Sequence, residues 1–295
     1  MSTHARAVVL GVGPETSGGG IRFAAVEAVR LNLPLHLVHV VHPVAQGPEF
    51  PLVVATDPSQ GGRLLLAGVQ EQAEDLVGGR VPIVTDMVVG RVVTSLVGAA
   101  QEAAMVVLEH REGGGGRLVT RSVASGVAAR ARVPVVSVPF SWVPRTGGDA
   151  PRLVVGIDNP EECADLFRAA LAEARSREAE LTVLHVWYHR VRYGPGQGMA
   201  EEDAWWQERM TARIETALGH LSDEAAGVPI TIEIEQPRPA DKLLAASRTH
   251  DLVILGRHDP FLPIGSHLGP IVRTVLRETA SPVLLVAPTR RPAMD

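Results

Sequence analysis

Glycines that could bind a phosphate group follow an aliphatic stretch near the start of the sequence. Gly11-Val12-Gly13 looks like the beginning of a dinucleotide-binding fingerprint, but the third glycine and the acidic residue of the second strand are missing. No Gly-Lys-Ser/Thr occurs, so the sequence has no P-loop. Residues 113–116 are four glycines without a fixed partner residue, which is more typical of a turn than of a phosphate loop. These spacings argue against a nicotinamide dehydrogenase and a P-loop NTPase.

Histidine and tryptophan residues offer two further candidate sites. His36, His39 and His42 are close in sequence, but strand alternation places His39 on the face opposite the other two, so they do not converge on a metal. His39 and His185 occupy the same place in two similar aliphatic strands, which predicts hydrogen-bonded structural histidines. The pair Trp205-Trp206 lies in a helical stretch flanked by charges, which favours packing in the core or an interface over stacking on a base. No metal site is predicted from these side chains.

An internal duplication organises the whole sequence. Residues 8–13 are similar to residues 153–158, and residues 35–40 are similar to residues 181–186. Two further pairs of similar segments follow in the same order, and the number of residues that separates the two members of a pair is nearly constant. This indicates a duplicated domain with small insertions. A Pro/Gly-rich stretch over residues 142–149 separates the copies. We therefore predict one domain over residues 1–141 and a second over residues 151–290.

Strand and helix patterns alternate within each copy. In the second copy, short aliphatic runs predict strands and longer runs with helical periodicity predict helices. This alternation predicts two tandem doubly wound, Rossmann-like α/β domains, each a five-stranded and mostly parallel sheet with helices on both faces. Ligands of such sheets bind beyond the carboxyl ends of the strands. The predicted strands are residues 152–157, 181–187, 229–235, 251–256 and 282–286, and the predicted helices are residues 161–179, 201–221, 240–248 and 270–277.

Composition and charge narrow the function classes. Hydrophobic residues make up 45% of the chain and aromatic residues only 4%, as expected for parallel sheets built from aliphatic strands. The net charge of −5 argues against nucleic-acid binding. A single cysteine, Cys163, fits a reducing compartment. No apolar run resembles a signal peptide or a membrane span, so we expect a cytoplasmic protein without membrane contact.

The loop after the fourth predicted strand of the second copy carries the most specific motif. Gly256-Arg257-His258-Asp259 is followed, after nine residues, by Gly269-Pro270 at the start of a helix. This pattern resembles the universal stress protein family, whose ATP-binding members have Gly, two residues, Gly, nine residues and Gly-Ser/Thr, with an Asp at the end of the first strand. Asp158 matches that Asp, and both copies resemble the family almost end to end. The chain thus resembles a tandem universal stress protein.

The resemblance implies a nucleotide site in the second copy. Asp158, Ile157 and Val186 would hold the adenine base of ATP or a related nucleotide, and a magnesium ion would only accompany the nucleotide. Two residues depart from the family pattern: Asp259 replaces the second glycine and adds negative charge, and Pro270 replaces the Ser/Thr and removes an amide. The ribose and phosphates would meet the following loop and helix start: Gly256, His258, Asp259, Gly269, Pro270 and Ile271.

The first copy departs further from the family pattern. Gly13 stands in place of the Asp, Glu109 in place of the first glycine and Arg121 in place of the third, while Ser122 keeps the hydroxyl. The Glu109 carboxylate is expected to face the place of the phosphates without binding them. We interpret the first copy as a structural pseudo-domain, so any nucleotide is expected in the second copy.

By resemblance, the chain is a regulatory protein of the stress response that binds an adenine nucleotide, or has lost it, and acts through an unidentified protein partner. One alternative is a nucleotide hydrolase or transferase of the same fold, for which Asp259 is the one candidate carboxylate. Another is a ligand-free scaffold. The aliphatic last strands, over residues 133–138 and 283–287, favour an edge-to-edge pseudo-dimer of the two domains, and a homodimer stays open.

Overall fold

The computed structural model describes residues 6–14, 16, 18–41, 58–110, 123–145, 147–187, 199–236, 238–257 and 268–286. The chain divides into two compact units, Met1–Pro144 and Arg145–Asp295. Among the described helices, none combines the length and the apolar character that crossing a bilayer requires.

The first unit is an α/β fold whose strands pair in the order β3-β2-β1-β4-β5. Every recorded pairing within it is parallel, with Val8 opposite Leu35 on one side of β1 and opposite Met105 on the other. Its strands are β1 (Val8–Val12), β2 (Leu35–Val41), β3 (Ile83–Val89), β4 (Met105–His110) and β5 (Val135–Pro139). Its helices are α1 (Gly19–Leu31), α2 (Pro58–Val77), α3 (Val92–Ala99) and α4 (Val123–Ala128).

The second unit repeats this arrangement, with strands in the order β8-β7-β6-β9-β10 and parallel pairings. The predicted fold class, two tandem doubly wound domains with five-stranded parallel sheets, is confirmed. The strands are β6 (Arg152–Ile157), β7 (Glu180–Val186), β8 (Ile230–Glu235), β9 (Leu252–Gly256) and β10 (Val283–Val286). A 3₁₀ turn, Pro160–Glu162, precedes α5 (Ala164–Ser176), and α6 (Met199–Gly219), α7 (Ser222–Ala225), α8 (Pro239–Ser247) and α9 (Pro270–Glu278) follow.

Strand order determines which residues meet at the edge of the sheet. In the second unit β6 lies between β7 and β9, so the carboxyl ends of these three strands are neighbours. The sheet interior is aliphatic, with Leu153, Val154 and Val155 fully buried, as parallel strands covered by helices require. The rigid sheet therefore carries Asp158 and the end of β7 side by side, where ligands bind in doubly wound folds.

Candidate ligand site in the second unit

A cavity of about 440 Å³ opens at the carboxyl end of the sheet in the second unit. Its volume lies within the range of roughly 300–1,000 Å³ that is usual for small-molecule sites. The segment after β6 contributes Asp158, Asn159 and Pro160 to its lining. The end of β7 contributes a second wall, and α6 and the first residue of α8 cover the cavity.

The segment after β6 presents a carboxylate that is open to the cavity. Asp158 is exposed and borders the cavity directly. The next residue, Asn159, caps the 3₁₀ turn, because its side-chain oxygen accepts a hydrogen bond from the amide of Glu161 at 3.3 Å. Capping fixes the backbone just after Asp158, so the carboxylate stands on an ordered turn at the end of a buried strand.

The end of β7 supplies a buried histidine beside this carboxylate. The Nδ1–H of His185 donates to the carbonyl oxygen of Ile157 at 3.3 Å, and the residue is only 5% exposed. Burial is the largest cause that lowers the pKa of His185 below its ordinary value of 6.5. The ring is therefore neutral at pH 7. With Nδ1 protonated, its Nε2 is an acceptor.

Helix α6 contributes three residues to the cavity at helical spacing: Trp206, Met210 and Arg213. The i, i+4, i+7 pattern places them on one face of the helix. Trp206 packs against Trp187 at the end of β7, with ring centroids 5.7 Å apart and planes tilted by 43°. The cavity consequently has an aromatic wall opposite the strand ends.

Arg213 connects this helix to the turn that follows Asp158. Its Nη2 donates to Glu161 Oε1 at 3.0 Å and to Asn159 Oδ1 at 3.4 Å, and its Nε donates to the same Glu161 oxygen at 3.2 Å. The guanidinium therefore joins α6 to both ends of the short turn from Asn159 to Glu161. Because Arg213 also borders the cavity, it combines a structural contact with a cationic surface for a ligand.

The structure brings together some of the residues predicted from the family pattern, but not all. Asp158 and Val186 line the cavity, whereas Ile157 is buried within β6 and accepts the His185 hydrogen bond through its carbonyl. The other described candidates lie at the end of β9 and the start of α9, outside the cavity lining: Gly256, Gly269, Pro270 and Ile271. The remaining candidates, His258 and Asp259, lie outside the described residues, as do His42, residues 113–116, Arg121 and Ser122.

The sequence pattern missed the contribution of α6. Of the two packing positions predicted for Trp205-Trp206, core or interface, the core is excluded for Trp205, which is 55% exposed and has the Arg209 guanidinium 5.5 Å from its ring centroid. An interface position of Trp205 stays a prediction. Trp206 borders the cavity instead of being enclosed by the core. The spacing of Trp206, Met210 and Arg213 could have identified a common face, although not what that face covers.

In the first unit, the residue that replaces Gly256 has a role that differs from the expected one. Glu109 does not extend unused toward the place of a phosphate: its Oε2 accepts hydrogen bonds from the amides of Gly20 at 2.7 Å and Gly18 at 3.2 Å. These amides begin α1, where a negative charge stabilises the helix. A Cβ on Gly20 would lie 2.9 Å from the Glu109 Cβ, so glycine permits this close contact. The chain itself supplies the anion at this helix start.

Helix α2 also packs tightly on the first unit's structural histidine. The Nδ1–H of His39 donates to the carbonyl oxygen of Val12 at 2.8 Å, which repeats the His185 contact of the second unit and confirms the predicted structural role of both. A Cβ on Gly62 of α2 would lie 2.9 Å from the His39 ring. The helix therefore lies directly on the imidazole, whereas His185 borders a cavity.

The family can be decided by comparison with known proteins. The model of the universal stress protein family matches the chain twice, over residues 4–139 and 150–287. The chain belongs to the universal stress protein family. The two matches cover both units, so this universal stress protein carries two tandem family domains, as the sequence predicted.

Relatives of this universal stress protein share its two-domain length. A universal stress protein of Mycobacterium tuberculosis is 30% identical over an alignment 312 residues long, gaps included, and the alignment covers 97% of this chain and 96% of the relative. One from Mycolicibacterium smegmatis is 26% identical and covers 92% and 93% of the two chains. The crystal structure of a universal stress protein from Archaeoglobus fulgidus superposes with a TM-score of 0.67 at 15% identity, covering 97% of this chain and 98% of that one. At this identity the likeness shows the fold.

Proposed function

We propose that this universal stress protein is a regulatory protein that binds an adenine nucleotide, ATP or a relative of it, in the cavity of its second unit. The observation that carries the proposal is the position of Asp158, an exposed carboxylate at the end of β6 that borders a cavity large enough for a base and ribose. Resemblance to the ATP-binding members of the family assigns the base to this same residue and to Val186, which also borders the cavity.

The chemistry of the lining supports an adenine base. A carboxylate accepts hydrogen bonds from the exocyclic amino group, which discriminates adenine from bases that present an oxygen at that position. Val186 and Met210 provide apolar surface, and Trp187 and Trp206 provide aromatic surface for a planar ring. The neutral His185 adds an acceptor without adding charge.

The end of β9 and the start of α9 have features that support a binding place for the phosphates of the nucleotide. A Cβ on Gly256 would make only an ordinary contact of 3.5 Å with Leu166, so internal packing does not require a glycine at this position. A ligand that lies close to the backbone would require one, because any side chain there would block its approach. Arg257 follows it; burial lowers the pKa of its guanidinium to about 10, which leaves the cation charged at pH 7. Gly269 precedes α9, whose amino end favours an anion.

Regulation, with little or no turnover, fits the described part of this site. Hydrolysis or transfer requires a base and usually a metal-binding carboxylate close to the phosphates. Among the described residues, no cluster of His, Cys, Asp and Glu side chains could hold a metal ion. In this proposal the nucleotide acts by occupancy, and a protein partner detects the occupied state.

Isothermal titration with ATP, with and without magnesium, tests the proposal. We expect one nucleotide per chain, and we expect Asp158→Ala to weaken binding by about 10- to 100-fold, the effect of losing a hydrogen bond to a charged group. Asp75→Ala, an exposed change on α2, is the matched control and should leave the affinity unchanged. No binding of ATP, AMP or adenosine would leave the scaffold alternative, and sustained phosphate release would favour the hydrolase.

A further inference from the structure

We propose that His185 is a ligand-contacting residue whose Nε2 atom accepts a hydrogen bond from the exocyclic amino group of the bound base. The inference rests on the proposed nucleotide site and adds a specificity residue to it. His185 borders the cavity, and the register of the sheet places it opposite Ile157, the residue directly before Asp158. Two hydrogen-bond acceptors, a carboxylate and an imidazole nitrogen, therefore stand at neighbouring strand ends.

The imidazole ring of His185 has one nitrogen in use and one free. Because a carbonyl oxygen only accepts, the contact of 3.3 Å between Nδ1 and the carbonyl oxygen of Ile157 places a proton on Nδ1. Burial keeps the ring neutral at pH 7, so Nε2 retains its lone pair. Among the residues that the structure describes, Nε2 has no hydrogen-bond partner, and it is not one of the unpartnered polar atoms that are closed off from solvent. The acceptor is consequently accessible.

The direction of this acceptor follows from the equivalent histidine of the first unit. The Nδ1 atom of His39 makes the same contact with the backbone, to the carbonyl oxygen of Val12 at 2.8 Å. A Cβ on Gly62 would lie 3.2 Å from the His39 Nε2, so that atom faces α2, the helix after its strand. The same strand position and the same Nδ1 contact turn the Nε2 of His185 toward α6, the helix after β7. In the second unit, the end of β7 and α6 are two walls of the cavity, so Nε2 faces the cavity.

A ligand group with two hydrogen-bond donors matches the two acceptors. The exocyclic amino group of adenine carries two N–H bonds, one for the carboxylate of Asp158 and one for the Nε2 of His185. Hypoxanthine and guanine carry an oxygen at the same ring position, and its lone pairs would face both acceptors. Unpaired polar groups at a binding site are costly, so the pair of residues selects a 6-aminopurine over a 6-oxopurine.

Matched asparagine variants test the contact. Asparagine places an amide nitrogen near the position of Nδ1, where it can donate to the same backbone carbonyl, and it has no atom at the position of Nε2. His39→Asn makes the identical change at the equivalent site of the first unit, where α2 covers the ring. We expect His185→Asn to weaken ATP binding about three- to tenfold and His39→Asn to change it by less than twofold. Circular dichroism and a melting curve establish that each variant is folded.

An analogue without the amino group separates a ligand contact from a purely structural role. Purine riboside triphosphate has hydrogen in place of the amino group and is otherwise identical to ATP. We expect it to bind wild-type protein more weakly than ATP does. Because it offers no donor to Nε2, it should bind wild-type protein and His185→Asn within twofold of each other. Isothermal titration of both ligands with wild-type protein and both variants gives the comparison.

The outcomes distinguish this inference from the function on which it rests. If ATP binds wild-type protein and His185→Asn within twofold, the contact is refuted while the nucleotide site stands. If His185→Asn weakens ATP and the analogue alike, or His39→Asn weakens ATP as much as His185→Asn does, the residue acts structurally and the inference is refuted. If ATP, AMP and adenosine do not bind wild-type protein, both proposals are refuted.

Discussion

The guanidinium of Arg213 lies 3.0 Å from the carboxylate of Glu161, and this pair joins the middle of α6 to the turn after β6. The two side chains are 32% and 69% exposed, so solvent screens the attraction. An exposed ion pair of this kind contributes about 0–1 kcal/mol to folding. Its importance is therefore expected in the position of α6 rather than in the stability of the fold.

The first prediction concerns this pair. Glu161→Gln should lower the free energy of unfolding by less than about 1 kcal/mol, because the pair is screened. The same change should raise the dissociation rate of ATP, because α6 is less firmly held over the cavity. Chemical denaturation and stopped-flow displacement measure the two quantities. Asp165→Asn, which removes the exposed pair with Arg168 on α5, is the control and should leave the dissociation rate unchanged.

The second prediction concerns pH. Burial lowers the pKa values of His185 and His250 below 6.5 in the folded protein, so the unfolded chain binds protons more readily. Their contribution to stability is complete above pH 6.5 and declines as the pH falls through 6.5 toward the folded pKa values. We expect the free energy of unfolding of the second unit to decrease between pH 7.5 and 5. An NMR titration in which the His185 ring protonates at or above pH 6.5 would refute this.

The third prediction concerns the internal anion of the first unit. Glu109→Ala removes the acceptor of the Gly18 and Gly20 amides and the charge at the start of α1. We expect a loss of about 1–3 kcal/mol in the unfolding free energy of the first unit. Glu109→Gln retains an acceptor oxygen and should lose only the charge effect of about 0.3–1 kcal/mol. Equal losses for both variants, measured by urea denaturation, would contradict the hydrogen-bond account.

The fourth prediction compares two glycines of α2. Gly62→Ala would place a methyl group 2.9 Å from the His39 ring and 3.0 Å from the Met87 sulfur, and overpacking of this kind costs about 1–3 kcal/mol. Gly68→Ala meets nothing within 4 Å and should stabilise the helix by up to about 1 kcal/mol. Opposite shifts in melting temperature are expected. A stabilised Gly62→Ala protein would show that α2 is not in firm contact with His39.

Much of the fold could be predicted because its signals are local. The bounds of β6 agree with the predicted residues 152–157, because Pro151 directly before the aliphatic run and Asp158 directly after it indicate where the strand begins and ends. The repeat made the shared strand order predictable. Trp206 and Arg213 could not be assigned in this way, because their partners Trp187 and Asn159 lie on other elements and no local pattern indicates which face of α6 covers the strand ends.

The role of Glu109 was not predictable for a related reason. A carboxylate at the end of β4 can extend toward a ligand or turn back to the protein, and the choice depends on how closely α1 approaches the strand. That approach is permitted by Gly20, where any side chain would collide with Glu109. Close contacts between backbone and side chain of this kind have a geometric origin, which residue identities alone do not reveal.

Because Glu109 is covalently part of the chain that supplies its hydrogen-bond donors, that contact is intramolecular and does not depend on the concentration of any solute. A duplicated protein with two exchangeable sites could respond cooperatively to its ligand. In the described part of this chain, the helix start of the first unit is instead neutralised by the chain's own carboxylate, and the proposed nucleotide site lies in the second unit. With that one proposed site, occupancy should follow a simple hyperbola in nucleotide concentration, so the protein would report a graded level and not a threshold.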